Sequence, residues 1–280
     1  MDDVQRTVSA HIEATVTAGT DLVLAIAVAD GPTRTESLVM TANGTAAVAN
    51  EIAAPHGGRL HLVAGLPAGP LTIDYTATVE GVAPIEPLAE IDRILYARPS
   101  RYCDSDKLMP VAAAEFAGIT GKPLLDAVSS WVGSQLSYVS GSSKPIDGAV
   151  DTYLSRQGVC RDYAHLVIAL LRGLNVPARL AAVYAPGLDP MDFHAVAEAY
   201  VDGAWWVVDA TALAPRPTLL RIANIGEEIT QRGHDHRFEL LDMRRESASP
   251  EVAALRHAKE SQTALTNLFT GSPARGIVNR

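Results

Sequence analysis

The stretch Gly158-Val159-Cys160-Arg161-Asp162-Tyr163-Ala164-His165-Leu166 decides how this chain is read. From Cys160 to Leu174 the apolar residues Ala164, Val167, Ile168, Leu171 and Leu174 recur at helical intervals, and Asn175 and Pro177 close the run. The periodicity predicts a helix that begins at Cys160. A thiol in the first turn of a helix meets unpaired backbone amides and the positive end of the helix dipole, both of which favour its thiolate. Upstream, Gly158 reads as the break after another helix from Ala149 to Gln157, with Asp147 as its N-cap.

Two later segments carry the groups that such a thiol needs: Asp192-Phe193-His194-Ala195 and Trp206-Val207-Val208-Asp209-Ala210. His194 to Val201 and Ala204 to Ala210 read as strands, joined by Asp202-Gly203, the dipeptide of a two-residue type I′ turn. That turn fixes the register, so that Val201 faces Ala204, Val196 faces Asp209 and His194 faces Thr211. Alternation then puts His194, Val196, Glu198 and Tyr200 on one face with Trp205, Val207, Asp209 and Thr211. His194 and Asp209 become diagonal neighbours, roughly 7–8 Å apart at the backbone and within side-chain reach. A three-residue loop would invert the parity and separate them.

Cysteine, histidine and aspartate in this arrangement form the set a thiol nucleophile uses: the imidazole moves the proton and the carboxylate orients the imidazole. Taken singly, each has a structural reading. A cysteine among apolar neighbours is a small buried hydrophobe, and a histidine or aspartate can simply serve its strand. Order, spacing and a shared face together favour Cys160, His194 and Asp209 as one site.

The pattern Gly-Val-Cys-Arg-Asp-Tyr-Ala-His-Leu, then Gly-Leu-Asn-Val-Pro-Ala-Arg, Phe-His-Ala and Val-Asp-Ala-Thr, resembles the transglutaminase-like superfamily, in particular its bacterial branch of candidate cysteine proteases. The resemblance spans about residues 95 to 225. It implies an α+β, papain-like core with Cys160 as nucleophile, His194 as general base and acid, and Asp209 as orienting carboxylate. It also implies acyl transfer at a peptide or amide bond through a thioester, with hydrolysis favoured over transfer to an amine. Many relatives place tryptophan two residues after the histidine; this chain has Val196. Other readings are an acyltransferase that uses a thioester donor and a non-catalytic binding module. The complete set of three residues disfavours the second.

Composition sets the frame. A chain of 280 residues with 48% hydrophobic content can build one large domain or two ordinary ones. A net charge of −9, without a basic stripe, argues against nucleic acid or an anionic membrane as partner. The start, Met-Asp-Asp-Val-Gln-Arg-Thr, lacks the basic residues and apolar run of a signal peptide, so a cytoplasmic location is expected. In that reducing setting Cys103 and Cys160 are not expected to form a disulfide.

The chain divides into an N-terminal β-sandwich (1–94), a catalytic core (95–245) and a C-terminal helix and tail (246–280). In the first part Leu71, Ile73, Tyr75, Ala77 and Val79 alternate with polar or small residues, Leu60 and Leu62 repeat the pattern, and Asp21 to Ala29 is an apolar run. The sandwich is expected to pack on the core or to form a homo-oligomer interface. Val82 to Pro99, with three prolines, reads as a connection. Pro123 opens a helix with Leu124, Leu125, Val128, Trp131 and Val132 on its core face. Pro186, Gly187 and Pro190 form a loop ahead of His194, and Ser249, Pro250 and Glu251 start a terminal helix.

No cofactor motif or glycine-rich phosphate loop is present. His234-Asp235-His236 lies in a charged segment without further Cys or His nearby, so no metal site is assigned. Cys103, followed by Asp104-Ser105-Asp106, sits in an anionic setting that opposes a thiolate. His165 points away from Cys160 on the same helix and reads as core packing.

Overall fold

A computed structural model describes residues 5–83, 86–144, 146–225 and 270–271. In chain order the elements are β1 (Gln5–Val16), β2 (Thr20–Leu24), β3 (Thr33–Ala42), β4 (Thr45–Ala46), β5 (Asn50–Ala53), β6 (Arg59–Leu66) and β7 (Gly69–Glu80). There follow α1 (Glu90–Leu95), α2 (Ser105–Glu115), α3 (Gly121–Gln135), β8 (Ser137–Tyr138), α4 (Ala149–Ser155), β9 (Gln157–Gly158) and α5 (Cys160–Gly173). The last are β10 (Ala178–Tyr184), β11 (Phe193–Val201), β12 (Ala204–Val208) and β13 (Leu220–Ile225). The terminal helix expected from Ser249 and the His234-Asp235-His236 segment fall outside the described residues.

The N-terminal strands form two antiparallel sheets. One has the order β1-β7-β3-β4, and the other contains β2-β6-β5 with Thr270–Gly271 on its edge. As the alternation predicts, β7 buries Leu71, Ile73, Tyr75, Ala77 and Val79, which join Val8 and Ile12 of β1 and Leu22 and Leu24 of β2 in one core. The apolar run from Asp21 splits: its strand ends at Leu24, and Ile26, Ala27 and Val28 are buried without regular structure.

Strand β6 reverses the expected facing. Arg59, His61 and Val63 turn inward while Leu60 and Leu62 remain half-buried. The physical reason is an ion cluster that hydrophobicity alone does not reveal. The Arg59 guanidinium lies 2.8 Å from Glu36 and 2.6 Å from Glu51, and the Tyr75 hydroxyl donates to Glu36 at 2.7 Å. Paired and hydrogen-bonded in this way, a buried charge is tolerable.

In the second half an antiparallel sheet, β12-β11-β10-β13, packs on α5, and α2, α3 and α4 surround that helix. The one-sided stripe read from sequence understates its burial, because every residue from Cys160 to Arg172 is withdrawn from solvent. Its polar residues therefore need internal partners. Arg172, for instance, donates to the Ala178 carbonyl at 2.6 Å and the Arg98 carbonyl at 3.0 Å.

Three local expectations change. The N-cap of α4 is Gly148, not Asp147, and the Asp151 carboxylate accepts from the Gly148 N–H at 2.9 Å. That helix ends at Ser155, with Arg156 left-handed, so Gln157 and Gly158 are free to pair in parallel with β8. The connection between the halves contains α1, and its Glu86 anchors both sides. It contacts His56 at 2.5 Å, Arg179 of β10 at 2.8 Å and Arg221 of β13 at 2.7 Å.

Candidate active site

The hairpin β11–β12 has the register read from its turn. Val201 pairs with Ala204, Tyr200 with Trp205 and Ala197 with Val208. Asp202 and Gly203 both adopt positive φ, 51° and 82°, which a type I′ turn requires. The ladder stops at Val208, just before Asp209, while β10 continues to hold the other edge of β11 through Val183 opposite His194.

Beyond the ladder, side chains complete the geometry. His194 Nε2 is 2.9 Å from Asp209 Oδ2. The second Asp209 oxygen accepts from the Thr211 N–H at 2.9 Å and from the Thr211 hydroxyl at 2.7 Å. The Asp209 carbonyl accepts from Ser129 of α3 at 3.0 Å and from Arg216 at 3.1 Å. Thus Arg216 helps to fix the segment that carries the carboxylate.

Cys160 is the first residue of α5, as its sequence position predicts, and its side chain hydrogen-bonds with His194. Cys160, His194 and Asp209 are 1%, 1% and 3% exposed, so their mutual interactions are little weakened by water. Burial alone would lower the His194 pKa. The hydrogen bonds to Asp209 and Cys160, with their charges, outweigh it and raise the value to about 10. Burial likewise opposes ionisation of Asp209, but His194 and Thr211 bring its pKa below the ordinary carboxylate range. With Nε2 turned toward Asp209, Nδ1 is the ring nitrogen left for proton exchange. The arrangement can hold a thiolate–imidazolium pair with an anion behind it.

Several contributors escaped sequence reading. Thr211 carried a usable signal, since a residue two positions after an aspartate can close an Asx-type turn onto it. Ser129 carried none, because it is 80 positions away from Asp209. Asp192, two residues before His194, has its pKa pushed up to about 7 by burial, against the Phe193 N–H and the His194 charge, which lower it. Val196 packs with Ala181 and Val183 in a small apolar cluster.

The remaining candidates lie elsewhere. Cys103 is buried at 4% exposure ahead of α2, and no disulfide joins it to Cys160. His165 stacks on Tyr102 with ring centroids 5.4 Å apart, and burial followed by the Arg161 charge lowers its pKa to about 3. It is a neutral packing residue. Among the described residues no group of three or more His, Cys, Asp or Glu side chains is placed to hold a metal. Likewise, no described helix is long and apolar enough to cross a membrane.

Comparison with known proteins agrees with this architecture. The family model of the transglutaminase-like superfamily matches residues 120–210, which include all three candidate residues. A candidate cysteine protease from Cytophaga hutchinsonii has a similar structure, with a TM-score of 0.71 and 32% identity over 80% of this chain and 82% of that one. An uncharacterized protein of Mycobacterium leprae is 31% identical over 93 residues, 30% of this chain. The match spans only 33% of that relative's length. The chain belongs to the transglutaminase-like superfamily, with an α+β fold of that type.

Proposed function

We propose that the protein is a cysteine-dependent enzyme that cleaves amide bonds in a peptide or related substrate through a thioester. The observation that carries this reading is the hydrogen-bonded series from Cys160 at the start of α5, through His194, to Asp209. Its similarity to the Cytophaga hutchinsonii protein supports the same class of chemistry.

In the proposed reaction the Cys160 thiolate attacks the substrate carbonyl, forming a carbon–sulfur bond and a tetrahedral oxyanion. The backbone amides at the start of α5 favour that charge, with the Cys160 N–H as one donor. Collapse breaks the carbon–nitrogen bond, and imidazolium His194 gives its proton to the leaving amine. Water then attacks the thioester while His194 takes its proton. The acid departs and the thiolate–imidazolium pair is restored. Asp209 holds the ring throughout and stabilises its protonated form. In this reading the protein works without a cofactor.

Iodoacetamide labelling tests the reading, and the small size of the reagent suits a thiol that is 1% exposed. Cys160 should react faster than Cys103, and His194→Ala should slow it about tenfold or more at neutral pH. Equal reactivity of the two cysteines, or indifference to His194, would overturn it. Incubating a denatured protein substrate with a fluorescent primary amine separates the two fates of the thioester. New peptide termini support hydrolysis, whereas amine incorporation without cleavage would make the enzyme a transglutaminase.

A further inference from the structure

The first turn of α5 has an unusual cap. Its N-cap residue is Val159, which has no side-chain oxygen to accept from the first-turn amides, and the Asp162 carboxylate at the third helical position instead reaches back to accept from the Val159 N–H at 2.8 Å. A carboxylate there secures the turn, but it also puts an anion two residues from the Cys160 thiol. Asp162 is 1% exposed, so water does little to screen its charge.

Arg161 answers both problems. It is 8% exposed, and its Nη2 lies 3.0 Å from Asp162 Oδ1. The same nitrogen donates to the Lys144 carbonyl at 2.7 Å and to the Ser143 hydroxyl. Ser143 in turn donates to Asp162 Oδ1 at 2.9 Å. The loop that follows β8 is thereby tied to the helix start. Gly158 is part of the same packing, since a Cβ there would lie 2.6 Å from the Asp162 Cβ.

We propose that Arg161 and Asp162 form a charge-balanced positioning pair for Cys160: Asp162 holds the first turn of α5, and Arg161 cancels the field that Asp162 would otherwise impose on the thiolate. The inference rests on the reading of Cys160 as a nucleophile. The other titratable groups of the site are His194 of β11, which contacts the thiol, Asp209 on the far side of His194, and Asp192 ahead of β11, whose pKa of about 7 leaves it mostly neutral at pH 6.5, while His165 on the same helix is neutral. None of these compensates Asp162 directly; Arg161 is its ion-pair partner.

The test measures iodoacetamide alkylation of Cys160 at about pH 6.5 in Arg161→Gln, Asp162→Asn, the double variant and Arg161→Lys, with melting curves to verify folding. Charge balance requires opposite signs. Arg161→Gln leaves the carboxylate unopposed and should slow alkylation about five- to tenfold, whereas Asp162→Asn leaves the guanidinium unopposed and should speed it about threefold. The double variant should lie between the two, and Arg161→Lys should stay near wild type. Slowing by both single substitutions, or no change in either, would overturn the proposal and leave a purely structural cap. If Arg161→Gln does not fold, Asp162→Asn decides: acceleration sustains the inference and slowing rejects it. If wild-type Cys160 reacts no faster than Cys103, the nucleophile reading itself fails, and this inference falls with it.

Discussion

His194 Nε2 meets Asp209 Oδ2 at 2.9 Å although the ladder between their strands ends at Ala197 and Val208. The hairpin brings the two residues near each other, and Thr211, Ser129 and Arg216 set the final position of Asp209. In the proposed chemistry, Asp209→Asn should lower turnover about a hundredfold or more, because an amide cannot stabilise the imidazolium as a carboxylate does. Thr211→Val should have a smaller effect, about three- to tenfold, since His194 still contacts Asp209 Oδ2. Steady-state kinetics of the two variants checks the order; an equal or larger loss in Thr211→Val would contradict it.

The turn between the strands should be as important as the residues themselves. The turn fixes the register, so inserting one glycine between Trp206 and Val207 of β12 shifts the end of that strand by a position and reverses the facing of Asp209 relative to His194. The expected result is a folded protein whose Cys160 has lost its enhanced alkylation rate. Circular dichroism and labelling together read this out, and retained reactivity would show that the register is not what aligns the pair.

Gly158→Ala should be destabilising even though its backbone is not left-handed. The added methyl meets the Asp162 Cβ at 2.6 Å, so the carboxylate must leave the Val159 N–H or β9 must move. A cost of about 1–3 kcal/mol is expected for such overpacking. Urea unfolding measures it, and an unchanged midpoint would show that the first turn of α5 yields freely.

The buried arginine of β10 provides a test of how the halves are joined. Arg179 is fully buried, stacks over Trp205 at 3.9 Å and pairs with Glu86 and Glu198 at 2.8 and 2.9 Å. Arg179→Met leaves two carboxylates without their main partner and should cost about 3–5 kcal/mol. Burial opposes ionisation of Glu86, but His56, Arg179 and Arg221 hold its pKa well below the usual carboxylate range. Near Arg59, Glu36 is lowered in the same way to about 2. Because their native values lie below the unfolded one, the stability they contribute is present above about pH 5 and is lost as the pH falls toward 2. Glu36→Gln should therefore flatten the acid limb of a stability–pH curve; an unchanged limb would contradict this assignment.

Asp192 has the opposite sign. Its pKa in the folded protein, about 7, lies above its ordinary value of 3.8, so the native state holds the proton more tightly than the unfolded chain. Stability then falls as the pH rises through that interval and is level above about 7. Asp192→Asn should stabilise the protein by about 1–2 kcal/mol at pH 8, a figure reduced from the full shift because the residue is only half-buried, and should have little effect at pH 4. Denaturation at the two pH values settles it, and a destabilised variant at pH 8 would reject the assignment.

By itself the sequence determined the elements whose signals are local. The apolar spacing after Cys160 set the start of α5, Asp202-Gly203 set the hairpin parity, and the alternation from Leu71 to Val79 set the buried face of β7. These follow from backbone periodicity and turn geometry, which depend on neighbours a few residues away. Only the tertiary structure decided where buried charge goes. Arg59 reversed the facing of β6, Glu86 joined the connection to β10 and β13, and Ser129 reached Asp209 from α3. A buried polar group must find its partner wherever the fold supplies one, and that partner can be any distance away in sequence.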